Sequence, residues 1–148
     1  MGHRGEVNLG QLVRGDFPGR CKLVGFTTYT GTVTAAGGWH LPAARMQVPP
    51  GLAGSYEEAF HQAGVPRFWL DLTADNPAVE ALREPRLERA IGVVYRPETE
   101  RDSHYFHSCL PEQFDAVVHI DGSRAVEPMD AVESWDPRDA PDTYPTGT

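Results

Sequence analysis

A run of hydroxyl side chains follows an apolar segment near the start of the sequence, in VGFTTYTGTVTAA at positions 24–36. In open α/β sheets, ligands bind in the crevice beyond the carboxyl ends of the strands. If residues 21–26 form a strand, the hydroxyl groups of the run lie at such a crevice. They belong to Thr27, Thr28, Tyr29 and Thr32. Gly31 would let the backbone approach a ligand closely. The run therefore predicts a substrate cleft, and an equally weighted alternative is a hairpin in which threonines simply suit strand geometry.

Two histidines three positions apart, His104 and His107, are a second group that could do chemistry. On a helix their imidazoles would share a face and could both reach a metal. Asp102 and Cys109 do not complete a ligand set at a recognisable spacing, so we predict no metal site and no cofactor. We expect the two histidines to be hydrogen-bonded structural residues or to face a cleft formed with other residues. His119, in a strand-like segment, is expected to be a hydrogen-bonded core residue rather than a base.

Most familiar catalytic motifs are missing from the sequence. It has no G-x-S-x-G elbow, no H-E-x-x-H, no P-loop and no G-x-G-x-x-G. Their absence argues against the commonest hydrolase, protease and nucleotide-binding classes.

Composition and charge favour one cytoplasmic domain. The 148 residues suit a single domain, and no apolar run approaches the length of a membrane span. The first residues lack the apolar centre of a signal peptide. Of the net charge of −8, the segment from Glu127 onward carries −5 (six acids, one base), which leaves −3 for the rest. No basic stripe is present that would bind nucleic-acid phosphates. Cys21 and Cys109 lack partners at metal spacing and are expected to be buried, reduced thiols.

The first half of the chain predicts alternating helices and strands. Apolar spacing in residues 4–13 indicates a helix, and residues 21–26 indicate a strand. Residues 27–51 have no helical period and predict a long ordered loop that could act as a lid. The S-x-x-E capping box at 55–58 starts a helix, and residues 67–72 form the next strand. This order is typical of an α/β fold with layered helices and strands.

The second half is less regular. Asn76 followed by proline predicts a helix cap, with the helix ending near Leu82. A short helical turn is expected at 87–90 and a short strand at 91–95. Residues 114–120 give the clearest strand of this half. From residue 131 to 148, proline, aspartate and threonine dominate, which predicts an acidic disordered tail.

Four separated blocks, in order, carry a resemblance to a known family. They are RGEVNLGQLVR at 4–14, LVGFTTYTGTVTAA at 23–36, LAGSYEEAFHQAGVPRFWLDL at 52–72, and the run from LERAIGVVYRPETERDSHYFH to HIDGSRAVEP at 87–128. Together they resemble the C-terminal portion of the erythromycin esterase family. The resemblance implies that residues 1–130 form the C-terminal part of an erythromycin-esterase-like α/β domain.

The resemblance also implies an activity and a mechanism. Family members hydrolyse esters, macrolide lactones being the best-known substrates, with a histidine that acts as general base on water. Such a base needs a pKa near the working pH and must reach the attacking water. The scheme requires no metal.

This sequence departs from the family in one respect that bears on catalysis. Family members are far longer, and their catalytic histidine and glutamate, with a later H-N-x-H motif, precede the matching blocks. No position here corresponds to those residues, so we assign no catalytic residue. We predict a truncated hydrolase of macrolide-resistance type that is inactive alone. An alternative is a non-catalytic binding module that complements a separately encoded N-terminal half. A third is a self-sufficient enzyme that uses His104 and His107, with Tyr29 or Thr28 as positioning groups.

Overall fold

The computed structural model describes residues 9–127. Within that range the helices are α1 (Leu9–Asp16), α2 (Tyr56–Gln62), α3 (Pro77–Ala81), α4 (Glu100–Ser103) and α5 (Leu110–Gln113), with a 3-10 turn at Pro97–Thr99. The strands are β1 (Val24–Thr27), β2 (Thr30–Ala36), β3 (Ala43–Val48), β4 (Arg67–Asp71), β5 (Arg86–Arg89), β6 (Tyr105–Ser108), β7 (Ala116–Ile120) and β8 (Gly122–Ser123). The predicted tail at 131–148 lies outside the described residues.

Three small sheets organise the strands. In the first, of order β1-β7-β4, β1 runs parallel to β7 and β4 antiparallel to it. The second has the order β3-β2-β8, and the third pairs β5 with β6. The short helices lie between these strands along the chain, so the predicted α/β class is confirmed.

The main core covers one face of the first sheet. Helix α2 forms where predicted, because the Ser55 hydroxyl accepts a hydrogen bond from the Glu58 backbone N–H at 3.1 Å. The Asn76 side chain caps α3 in the same way, through the Val79 N–H at 3.0 Å. The core that these helices help to close contains Tyr56, Phe60, Leu72, Leu82, Leu110 and Val117. A smaller hydrophobic cluster consists of Ala35 and Val48, from the second sheet, and Tyr95.

The opposite face of the first sheet is exposed. Phe26 and Trp69 are both register partners of Val118, so the three side chains share one face of the sheet. Phe26 is 74% exposed and Trp69 60% exposed. We call this group of three residues the open face. Leu9 and Leu12 of α1 are also exposed, and among residues 9–127 the outer edge of β1 has no strand partner.

The predicted lid at 27–51 is wrong, because this segment contains an antiparallel hairpin of β2 and β3. Its pairing is decided by distant residues: β2 also pairs with β8, and Ala36 pairs with Val94. Gly31 has a φ of 128°, and a Cβ there would lie 2.2 Å from the Ser123 carbonyl oxygen. Only glycine fits this contact between β2 and β8 without a shift of the backbone.

Two local predictions in the second half are also wrong. Residues 86–89 form strand β5 instead of a helical turn, because β6 supplies its hydrogen-bonding partners. Residues 91–95 are irregular apart from the single bridge at Val94.

Cys21 and Cys109 are free thiols, as expected, but each is only half-buried. None of the helices in residues 9–127 has the length and apolar character that a membrane span requires.

Candidate functional site

A cavity of about 410 Å³ lies beside the carboxyl ends of β1 and β7. Ligand pockets for small molecules usually start at about 300 Å³. Its apolar wall consists of Phe26, Val33, Ile91, Ile120 and Val126. Its polar groups include Thr27, Thr28, Thr32, Glu57, Arg89 and Arg124. An apolar wall with a few polar groups suits a mostly apolar ligand that carries a polar function.

The threonine-rich stretch is both a cavity wall and a hairpin. Thr28 and Thr32 line the cavity, whereas Tyr29 and Gly31 do not. The Thr28 hydroxyl donates to the Thr30 carbonyl at 3.1 Å, and the Thr32 hydroxyl accepts from the Ala125 N–H at 2.9 Å. These bonds fix the positions of both side chains.

Arg89 stabilises the backbone of this wall through its side chain. Its guanidinium donates to the carbonyl oxygens of Thr28, Tyr29 and Pro49 at 3.3, 3.2 and 2.9 Å. It also forms an ion pair with Glu100 at 2.9 Å, with side-chain exposures of 2% and 5%. The Tyr95 hydroxyl donates to the same carboxylate. Arg89 therefore links the cavity wall to the smaller core, although nothing in the local sequence pattern marks it.

Glu57 places a buried carboxylate at the cavity. Its Oε1 accepts from the Arg89 N–H at 3.0 Å, and its Oε2 has no hydrogen-bond partner among the described residues. Burial raises the pKa of Glu57, and the hydrogen bond from Arg89 opposes that effect. The unpaired oxygen is therefore a buried polar atom for which the described residues supply no donor.

Glu88 is a second buried carboxylate, and its titration makes the stability of the folded state depend on pH. Burial raises its pKa to about 7, despite hydrogen bonds from Ser108 and Gln113, and the nearby Glu57 adds to the increase. The folded state then holds a proton between the unfolded pKa of 4.5 and about 7, where the unfolded chain has lost it. Stability from this group is therefore greatest below 4.5 and falls as the pH rises to about 7.

We expect Glu88→Gln to remove this dependence. Between about pH 4 and about pH 8, the unfolding free energy of the wild type should fall by about 3 kcal/mol relative to the variant. Urea unfolding of both proteins across this range measures the difference. Glu80→Gln, at an exposed position, is the control and should track the wild type. A constant difference between wild type and Glu88→Gln would show that Glu88 does not titrate in this range.

A row of polar side chains leads away from the cavity at Thr27. The Thr27 hydroxyl lies 2.9 Å from Nδ1 of His119, which is fully buried. Nε2 of His119 lies 3.5 Å from the Asp121 carboxylate, which is 2.7 Å from Nδ1 of His61. The His61 ring stacks on Tyr29 with 3.8 Å between centroids. His119 is thus in the core as predicted, but Nε2 has no hydrogen-bond partner among the described residues.

Sequence reasoning missed this row, although a signal was available. His119 and Asp121 form an H-x-D pair at the carboxyl end of β7, beside the carboxyl end of β1. Side chains from neighbouring parallel strand ends meet at one edge of a sheet.

His104 and His107 lie apart from the cavity. Nε2 of His104 accepts from the Arg96 N–H at 3.0 Å, and Nδ1 lies 3.2 Å from the Ala90 carbonyl oxygen. Both ring nitrogens of His104 are therefore engaged by backbone groups. His107 is exposed on β6, opposite Leu87. Within residues 9–127, no group of three or more His, Cys, Asp or Glu side chains has an arrangement that could hold a metal ion.

Comparisons with known proteins agree with the fold. The family described as "Erythromycin esterase" matches residues 1–123. A crystal structure of a succinoglycan biosynthesis protein aligns with a TM-score of 0.64 and 21% identity, over 80% of this chain and 28% of that one. A crystal structure of a Bacillus cereus protein aligns with a TM-score of 0.65 and 20% identity, over 78% of this chain and 28% of that one. The chain thus spans under a third of the length of these structures.

Proposed function

This chain belongs to the erythromycin esterase family, and from that premise we propose that it forms one wall of the substrate cleft of an ester-hydrolysing enzyme. Carboxylic esters are the proposed substrate class, with macrolide lactones such as erythromycin as candidates and macrolide resistance as the biological setting. The observation that supports this most is the cavity beside β1 and β7, which has the volume and mixed lining of a small-molecule site.

We propose that the remainder of the family fold is needed for catalysis. The solved structures that share this fold are far longer than the segment matched here, 28% of each. The open face and the edge of β1 that has no strand partner within residues 9–127 offer apolar surface and backbone groups that such a remainder would cover. The same surface favours the alternative of a complementing module whose partner is a separately encoded half.

The cavity geometry suggests how an ester would bind. Its alkyl groups would lie against Phe26, Val33 and Ile91, and its polar groups would lie on the side of the cavity that Thr32 lines. Phe26 belongs both to the cavity and to the open face, so a segment that covers the open face would also close the cavity. Exclusion of water strengthens the hydrogen bonds and charges within such a site.

We expect an ester probe to bind at this cavity in the isolated chain. Gly92 lines the cavity, and a Cβ added there would meet no atom within 4 Å, so we expect the side chain of Gly92→Leu to occupy part of the cavity. Titration of an aryl ester or erythromycin, followed by backbone amide NMR, should shift amides of the cavity wall. Gly92→Leu should weaken this binding about tenfold or more, equivalent to about 1.4 kcal/mol.

Gly122→Leu is the matched control, because its Cβ position is also open but Gly122 does not line the cavity. Its binding should equal that of the wild type. Shifts that instead surround His104 and His107, or binding that Gly92→Leu leaves intact, would contradict the assignment of the cavity.

A further inference from the structure

The last four described residues, 124–127, form a segment that lies between two cavities. The first cavity is the one of about 410 Å³ beside the carboxyl ends of β1 and β7. The second cavity has a volume of about 280 Å³ and is lined on the β3 side by Ala43, Ala44 and Arg45. Four residues line both cavities: Thr34, Arg124, Ala125 and Val126. The two cavities therefore adjoin at this segment, which we call the strap.

Two threonine side chains of β2 hold the strap in place. The strap follows β8, whose two residues pair with β2. Beyond β8, no residue of the strap forms a backbone–backbone hydrogen bond within residues 9–127. Instead, the Thr32 hydroxyl accepts from the Ala125 N–H at 2.9 Å, and the Thr34 hydroxyl donates to the Val126 carbonyl oxygen. The strap therefore depends on hydroxyl groups where a strand would have a backbone ladder.

The interactions of the strap are weak enough to break and re-form. A hydrogen bond between two protein groups contributes a modest net free energy, because the separated groups bond to water instead. The Val126 side chain is 77% exposed, so it buries little apolar surface in this position. The ion pair within the strap joins Arg124 and Glu127 at 3.8 Å, and it contributes little because these side chains are 80% and 88% exposed. The strap can therefore separate from β2 while β8 stays paired.

We propose that the strap is a movable partition that determines the size of ester that the site accepts, an inference that rests on the ester binding proposed above. With the strap in place, an ester is confined to the first cavity. With the strap displaced, the two cavities become one, and an ester with a large second substituent can extend over Ala43 and Ala44 of β3. Thr32 and Thr34 are then positioning residues that act on the ligand through the strap.

Filling the second cavity tests whether a large ester uses it. Ala44 is exposed on β3 and lines the second cavity but not the first. In amide NMR titrations, Ala44→Leu should weaken binding of erythromycin about tenfold or more and leave binding of the small ester phenyl acetate unchanged. Gln47→Leu is the matched control, because Gln47 is also exposed on β3 but lines neither cavity. Erythromycin binding that Ala44→Leu leaves intact would overturn the proposed partition.

Releasing the strap tests its movement. Thr34→Val removes one of the two hydrogen bonds, so the population of the displaced strap should rise about fivefold, the factor expected for one hydrogen bond. The affinity for erythromycin should rise by the same factor, because only the displaced form accepts it, and the affinity for phenyl acetate should not change. Thr30→Val is the control, because the Thr30 hydroxyl donates to the Val48 carbonyl oxygen and lines neither cavity. Equal changes for both esters would overturn the size-determining role.

Amide hydrogen exchange measures the strap without any ester. The Ala125 N–H should exchange about fivefold faster in Thr34→Val than in the wild type, because release of Val126 also frees the neighbouring bond to Thr32. Thr30→Val should leave this rate unchanged. An Ala125 rate that Thr34→Val does not change would overturn the movable strap while the ester-binding proposal stands. The predicted exchange rates, with neither ester shifting the amides of the first cavity, would instead overturn the ester-binding proposal.

Discussion

Arg89→Met is expected to destabilise the chain by about 3 to 5 kcal/mol, the usual cost of leaving one member of a buried ion pair without its partner. The Arg89 and Glu100 side chains are almost completely buried, at 2% and 5% exposure. In the variant the Glu100 carboxylate would keep only the Tyr95 hydroxyl among these partners. Three carbonyl oxygens near the cavity would also lose their donor. The cavity wall should loosen together with the core.

Urea unfolding of wild type and variant measures this loss. Arg83→Met is the control, because Arg83 is 51% exposed and its one ion-pair partner within residues 9–127 is the exposed Glu80, so we expect a change below about 0.5 kcal/mol. Adding Glu100→Gln to Arg89→Met should cost less than the sum of the two single changes, because the buried charge is then removed as well. A loss below about 1 kcal/mol for Arg89→Met would contradict the structural role given to this ion pair.

Local signals in the sequence predicted the elements that local interactions decide. The cap of α2 depends on Ser55 and Glu58, three residues apart, and both the cap and the following strand β4 are observed close to the expected positions. The Asn76 cap is a similar case. Such signals need no knowledge of the rest of the fold.

Elements that depend on distant partners were not predictable in this way. Strand β5 exists because it pairs with β6, whose residues follow almost 20 positions later. The hairpin of β2 and β3 takes its place in the sheet from β8, about 90 positions away. Propensity within a short window cannot report such pairing.

The candidate site shows the same difference between features that local sequence decides and features that depend on distant partners. The threonine stretch was marked by its composition, and Thr28 and Thr32 do line the cavity. Arg89, Glu57 and the contact of Thr27 with His119 were not marked, because each joins segments far apart in the chain. Buried polar groups of this kind are recognised only once the fold brings their partners together.

Ester hydrolysis should appear only when the fold is completed. The described residues supply one wall of a cavity. They cover under a third of the solved structures that share the fold. Reacting groups accelerate hydrolysis strongly only when all are held in one geometry. We therefore expect no turnover by the chain alone. Turnover should appear when the chain is mixed with a shortened ester-hydrolysing family member. The shortened protein keeps the portion that precedes the matched segment and lacks its own equivalent of residues 1–123.

The open face supplies a matched control for that experiment. Trp69 and Trp39 are both exposed, at 60% and 76%, but only Trp69 lies on the open face. Trp69→Ser should weaken recovery of activity roughly 30-fold, since an interface tryptophan contributes about 2 kcal/mol. Trp39→Ser should have little effect on recovery.

The decisive measurement is the rate of aryl-ester or erythromycin hydrolysis by each polypeptide alone and by the mixture. We predict background rates for the separate polypeptides, and a rate for the mixture that Trp69→Ser lowers and Trp39→Ser does not. Turnover by the isolated chain, or a properly associated mixture without turnover, would contradict it.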